Sequence, residues 1–170
     1  MELTVQFKFN PTREQRDALI TTMERFNAAC NAIAETAFSI RTANKIALQR
    51  LVYHEIRSRF GLSAQLTIHA VRKVAGAYKR DKDRKCTFRP HGSVPYDARI
   101  LTLKADAVSI LTLDGRQSIP VAWHGPERGK RKDAATLVFR GGEFYLMVVY
   151  EVEELVTARH ADFLGVDLGI

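Results

Sequence analysis

Nowhere in the 170 residues is there an apolar run near the ~20 residues that a membrane-spanning helix needs, and cysteine occurs only twice, at Cys30 and Cys86. The first lack excludes a helical membrane span, and the second excludes a scaffold stapled by disulfides. Without a CxxC pair the two thiols make no structural metal site either, and both read as ordinary reduced thiols. The opening MELTVQFKFN carries charge where a leader would carry its apolar stretch, so no signal peptide is expected and the expected compartment is the reducing cytoplasm. No internal repeat or low-complexity tract breaks the chain. A hydrophobic fraction of 46% excludes a disordered tail. The length suffices for a core, since a chain near 150 residues hides roughly 68–70% of its unfolded surface.

What the sequence has in excess is positive charge. Lys and Arg number 26 against 19 Asp and Glu, a net +7, with an isoelectric point near 9.6. Such a balance points to a polyanion as partner. The excess is uneven: residues 1–90 hold 17 Lys/Arg against 8 Asp/Glu, a net +9, whereas 91–170 hold 9 against 11, a net −2. The densest run comprises Arg72, Lys73, Lys79, Arg80, Lys82, Arg84, Lys85 and Arg89, opposed by Asp81 and Asp83. A lone charge run is usually a solvated helix end. Because the whole first half is biased, a binding surface is the favoured reading.

Leu3, Val5, Phe7 and Phe9 alternate with polar residues at the period of a half-buried strand, which Asn10-Pro11 ends. Thr12 with Gln15 forms a capping box for a long helix over about 13–40, whose inner stripe is Leu19, Met23, Phe26, Cys30, Ile33 and Ala37. Asn44 caps a second helix with Leu48, Val52 and Ile56 inward, stopped at Gly61. Ser63 caps a third. Its apolar face is Leu66, Ala70, Val74 and Ala77, and a second stripe runs through Gln65, His69, Arg72, Gly76 and Lys79. That stripe is either a solvated face or a contact surface. It combines an amide and an imidazole suited to base edges, cations suited to phosphates, and a glycine that permits close approach.

After Pro90 the pattern becomes β. Residues 99–103, 108–113 and 118–122 are short strand-like runs, the last two joined by Asp114-Gly115, and 135–139 pairs with 144–150 across Gly141-Gly142. Residues 124–133, with Gly, Pro and the basic cluster Lys130, Arg131 and Lys132, lack periodicity and read as a loop. Pro120 places its strand at an edge or bulge. The expected class is α+β: about six antiparallel strands suited to a small barrel of the oligonucleotide-binding kind, with three helices inserted after the first strand. Tyr53, Tyr78 and Tyr96 are stacking candidates, Tyr78 more as a packed ring with an exposed hydroxyl, and Trp123 as core or barrel rim.

The last residues, Phe163-Leu-Gly-Val-Asp-Leu-Gly-Ile170, form an apolar strand with one Asp between glycines. A carboxylate so placed suits a divalent cation or an approaching phosphate. Metal-dependent phosphoryl chemistry, the nucleotide-phosphate strand of an ATPase, and a plain structural strand all fit the pattern.

In chain order, FKFNPTREQRDAL, AYKRDKD, SVPYDARILTLKADAVSILTLDGR followed by IPVAW, GGEFYLMVVYEVE and FLGVDLGI together resemble the TnpB family. These are transposon-encoded RNA-guided DNA nucleases, also called OrfB-type transposases, related to compact type V CRISPR effectors. The resemblance covers essentially the whole chain. It implies a wedge-type β-barrel, with residues 1–10 as its first strand and 86–158 as its remainder, interrupted by a helical recognition insertion over 11–85. Residues 159–170 would begin a RuvC-like nuclease domain.

On that resemblance Asp167 is the first of three acidic residues that hold two magnesium ions as the catalytic centre. A single carboxylate cannot hold both, so these 170 residues are expected not to cut DNA alone. The expected partners are guide RNA, target double-stranded DNA and the remaining nuclease half, with no membrane. Gln65, His69, Arg72 and Lys79 are expected at the duplex beside the target-adjacent motif, and Asn44, Lys45 and Gln49 on the same surface by approximate alignment. Arg80, Lys82, Arg84, Lys85 and Arg89 are assigned to RNA or DNA backbone, and Lys130, Arg131 and Lys132 to further phosphates. The alternative is a stand-alone nucleic-acid-binding subunit or repressor without nuclease activity.

Overall fold

The short-range signals around the helix ends are realised, because each is satisfied within a few residues. Residues 1–81, 83–104, 106–121 and 130–152 are described by the computed structural model; Lys82, Trp123 and Asp167 lie outside them. Strand β1 (Glu2–Lys8) is followed by helix α1 (Arg13–Ser39). Thr12 Oγ1 accepts from Gln15 N, and Gln15 Oε1 accepts from Thr12 N, closing the capping box. All six residues of the expected α1 stripe are fully buried. Asn44 Oδ1 accepts from the amides of Ile46 and Ala47 to start α2 (Lys45–Phe60), and Gly61, at φ 62°, ends it in the left-handed region. Ser63 Oγ accepts from Leu66 N at the start of α3 (Ala64–Arg80).

The β part follows: β2 (Val94–Asp97), β3 (Leu101–Leu103), β4 (Ala107–Thr112), β5 (Gly115–Pro120), β6 (Lys130–Arg140) and β7 (Glu143–Glu151). They form two antiparallel sheets, ordered β1-β7-β6-β2 and β3-β4-β5. Gly141 and Gly142, both at positive φ, make the two-residue turn between β6 and β7. The sheets meet at two places. On one side Phe9 bridges Val121 and Asn10 N donates to Pro120 O; on the other, the turn at 98–100 carries β2 into β3, and the Tyr96 hydroxyl donates to Leu111 O at 3.0 Å. One continuous core joins helices and sheets, with Phe7, Phe9, Phe26, Tyr96 and Phe144 among its largest members.

Three expectations are corrected. Residues 94–97 form an additional strand, held by pairing with residues 134–137 of β6. Lys130, Arg131 and Lys132 are the start of β6 rather than a loop; their register against β7 shifts between Arg131 and Ala135, which is why no clean alternation marks them. Tyr78 and Tyr96 are each 1% exposed, so neither ring faces solvent to stack on a base, and the Tyr78 hydroxyl is buried rather than exposed. Pro120 does end an edge strand, where a missing amide leaves the ladder intact. Among the described residues no helix is long and apolar enough to cross a membrane.

Candidate nucleic-acid interface

Alternation in β2 turns Val94 and Tyr96 into the core and leaves Pro95 and Asp97 on the opposite face. Helix α3 lies along that face, with its N-terminal part near Asp97 and its middle near Ser93, as two sets of contacts fix. At one end Asp97 Oδ2 accepts from the Gln65 amide and lies 3.3 Å from His69 Nε2, while Asp97 Oδ1 accepts from Arg99 N. Arg99 Nη1 donates to Gln65 Oε1 at 3.3 Å, and the Arg99 carbonyl accepts from Arg116 Nη2 at 2.7 Å.

Gln65 and His69, which the sequence suggests for base edges, are thus each 8% exposed and turned toward Asp97. Burial is the largest cause holding the His69 imidazole below its ordinary 6.5; Arg72 and Arg99 act in the same direction, and Asp97 opposes them. His69 Nε2 is buried 3.3 Å from Asp97 Oδ2, too poorly aligned to count as a full hydrogen bond.

At the other end, Lys73 Nζ donates to Asn27 Oδ1 and to the Ser93 carbonyl, and lies over the rings of Phe26 and Phe88. Burial pushes its ammonium below the usual lysine value. Asn27 Nδ2 donates to the carbonyls of Met23, Pro90 and Gly92. One turn on, Asn31 holds both backbone groups of Phe88, accepting from its amide at 2.8 Å and donating to its carbonyl at 2.9 Å. A Cβ on Gly92 would come within 3.0 Å of Asn27 Oδ1 and of the Arg89 carbonyl, so glycine is needed for this close approach. The segment between α3 and β2 is therefore fixed to two helices by the buried Asn27 and the half-buried Asn31 and Lys73.

That fixing presents the remaining cations outward. Arg72, Lys79, Arg80, Arg84, Lys85 and Arg89 are all exposed. Lys85 reaches Glu35 at 3.8 Å; the other five have no ion-pair partner among the described residues. Arg72, Gly76 and Lys79 lie on one helix face, and a Cβ at Gly76 would meet nothing within 4 Å. The expected stripe is thus split in two: its first half is covered by β2, and its second half is an open basic edge. Beside this edge lies an open cleft of about 330 Å³ lined by His69, Arg72, Lys73, Ser93, Pro95 and Thr136.

The other expected contacts lie apart from this edge. Asn44 spends its carbonyl oxygen on capping α2. Lys45 is exposed, and Gln49 lines a separate groove of about 430 Å³ with Ile46, Arg50, Tyr53 and His54. In β6, Lys132 is paired with Glu2, which lowers the carboxyl and raises the ammonium, and Lys130 is exposed.

Asn27, Asn31 and Asp97 escaped the sequence reading, and Lys73 entered it only as one charge in a run. The one local sign was a pair of asparagines four residues apart beside an apolar stripe. Asp167 lies outside the described residues, so no magnesium geometry can be drawn from it; among the described residues no group of three His, Cys, Asp or Glu could hold a metal ion. Neither a protein-family model nor a curated protein matches the chain.

Proposed function

We propose that this chain binds nucleic acid through the exposed basic edge of α3 and the segment after it. In this reading it is the part of a TnpB-type RNA-guided DNA endonuclease that grips guide RNA and target DNA. The observation that carries the reading is a set of five exposed cations, Arg72, Lys79, Arg80, Arg84 and Arg89, without an ion-pair partner among the described residues, on α3 and a following segment that buried Asn27 and half-buried Asn31 and Lys73 tie down at residues 88–93. A mere solvated charge run needs no such anchoring. Fixed cations lose little further freedom when they meet phosphates, and each phosphate neutralised releases counterions. The order of strand, three helices and strands supports the finer assignment of a wedge barrel with a recognition insertion; a protein acting on guide RNA and target DNA would work in the cytoplasm. Magnesium enters only through Asp167, which would contribute to metal-dependent hydrolysis together with acids from a complete nuclease domain.

The test is fluorescence anisotropy with a structured RNA and a duplex DNA across a salt series. Log affinity should fall linearly with log salt. Replacing Arg72, Lys79 and Arg80 together by Ala should reduce the slope by about two to three, at roughly 0.7–0.9 per phosphate contact. A flat salt response, or a slope unchanged in the triple variant, would overturn the reading.

A further inference from the structure

The cleft beside the basic edge has features that backbone binding alone does not need. Its floor is a cross-strand pair, Pro95 of β2 opposite Thr136 of β6, on the outer face of the sheet. Its wall is α3, which supplies the exposed Arg72 and the nine-tenths buried His69, whose Nε2 is turned away to within 3.3 Å of Asp97. The hydroxyls of Ser93 and Thr136 complete the polar lining, while the Lys73 ammonium is already held by Asn27 and the Ser93 carbonyl. A phosphodiester needs only cations and donors at a surface. A pyrrolidine floor, a planar guanidinium at the rim, and hydroxyls on the walls match a flat heteroaromatic ring with donors and acceptors on its edge. The volume, about 330 Å³, lies at the low end of the ~300–1,000 Å³ typical of small-ligand sites, which suits one nucleotide and not several.

We propose that the cleft between α3 and the β2–β6 pair takes one unpaired nucleotide of a bound strand, its base on Pro95 facing Ser93 and Thr136, and its phosphate on Arg72. The proposal rests on the nucleic-acid reading above and adds to it. A base inside an intact duplex is stacked and paired and cannot enter, so the cleft would distinguish a strand with an extruded or single-stranded nucleotide from continuous duplex.

The test compares an unbroken short duplex with the same duplex carrying one bulged nucleotide, in ribo and deoxy forms, at fixed salt. The wild-type protein should bind at least one bulged form about tenfold more tightly than its unbroken counterpart, as two or three added hydrogen bonds would give. Thr136→Tyr, which fills the cleft with a residue suited to a strand, should abolish that preference and leave the unbroken duplex within about twofold of wild type. Ser93→Val, at an exposed position, should weaken the preference about threefold, and serves if Thr136→Tyr lowers the melting temperature. Equal wild-type affinity for bulged and unbroken forms overturns the proposal and leaves the nucleic-acid reading intact. So does a preference that survives both variants, or a loss that falls equally on both ligands. Failure to bind either ligand even at low salt overturns both.

Discussion

His69 and Lys73 stand one turn apart on α3, and burial favours the uncharged form of each. For His69 the sign follows directly. Its folded value is depressed below 6.5, so as pH falls through that value the unfolded chain binds the proton first and stability is lost. The melting temperature should therefore decline from pH 7 to pH 5, and His69→Gln should flatten that decline; an equal decline in the variant would sink this assignment. Burial also pushes the Cys30 thiol up to about 12, whereas Cys86 is half-buried. A thiol reagent at neutral pH should label Cys86 first and reach Cys30 only on unfolding, as peptide mapping of the labelled protein would check. Position in the α1 stripe marked Cys30 as buried, but nothing local marks Asp97 as the partner of Gln65 and His69, which lie 32 and 28 positions earlier in the chain.

The caps were legible because a cap is a contract between residues three apart. Thr12, Asn44 and Ser63 each accept the bonds their sequence context predicts, and Gly61 takes the positive φ that ends α2. Thr12→Ala should cost about 1 kcal/mol, measured by urea denaturation, because it removes one half of the capping box at the joint between β1 and α1. An unchanged midpoint would mean that packing alone sets the start of α1. Strands were harder to read. Residues 94–97 are few and include a proline, and they pair with a segment some 40 positions away, so their strand exists only because β6 is there. The first residues of β6 hid their periodicity behind a register shift.

Across the whole molecule the net +7 is a poor description of what a polyanion would meet. Some of the positive charge is consumed internally: half-buried Lys73 is held by Asn27, Arg99 braces Gln65, and Lys132 is paired with Glu2. The open edge formed by Arg72, Lys79, Arg80, Arg84 and Arg89 remains. Replacing Arg84 and Arg89 by Ala should lower the salt slope of RNA binding by about one to two, whereas replacing Lys130 and Lys132 should change it by much less. Equal effects in an anisotropy titration would show that the strand cations share the interface. By itself the sequence determined the α+β class, the three helices with their ends, and the basic first half, since these depend on local periodicity, capping and composition. Only the tertiary structure decided which part of the Gln65–Lys79 stripe faces solvent, because that depends on β2 and Asp97, brought from distant positions, covering one end of the helix and leaving the other open.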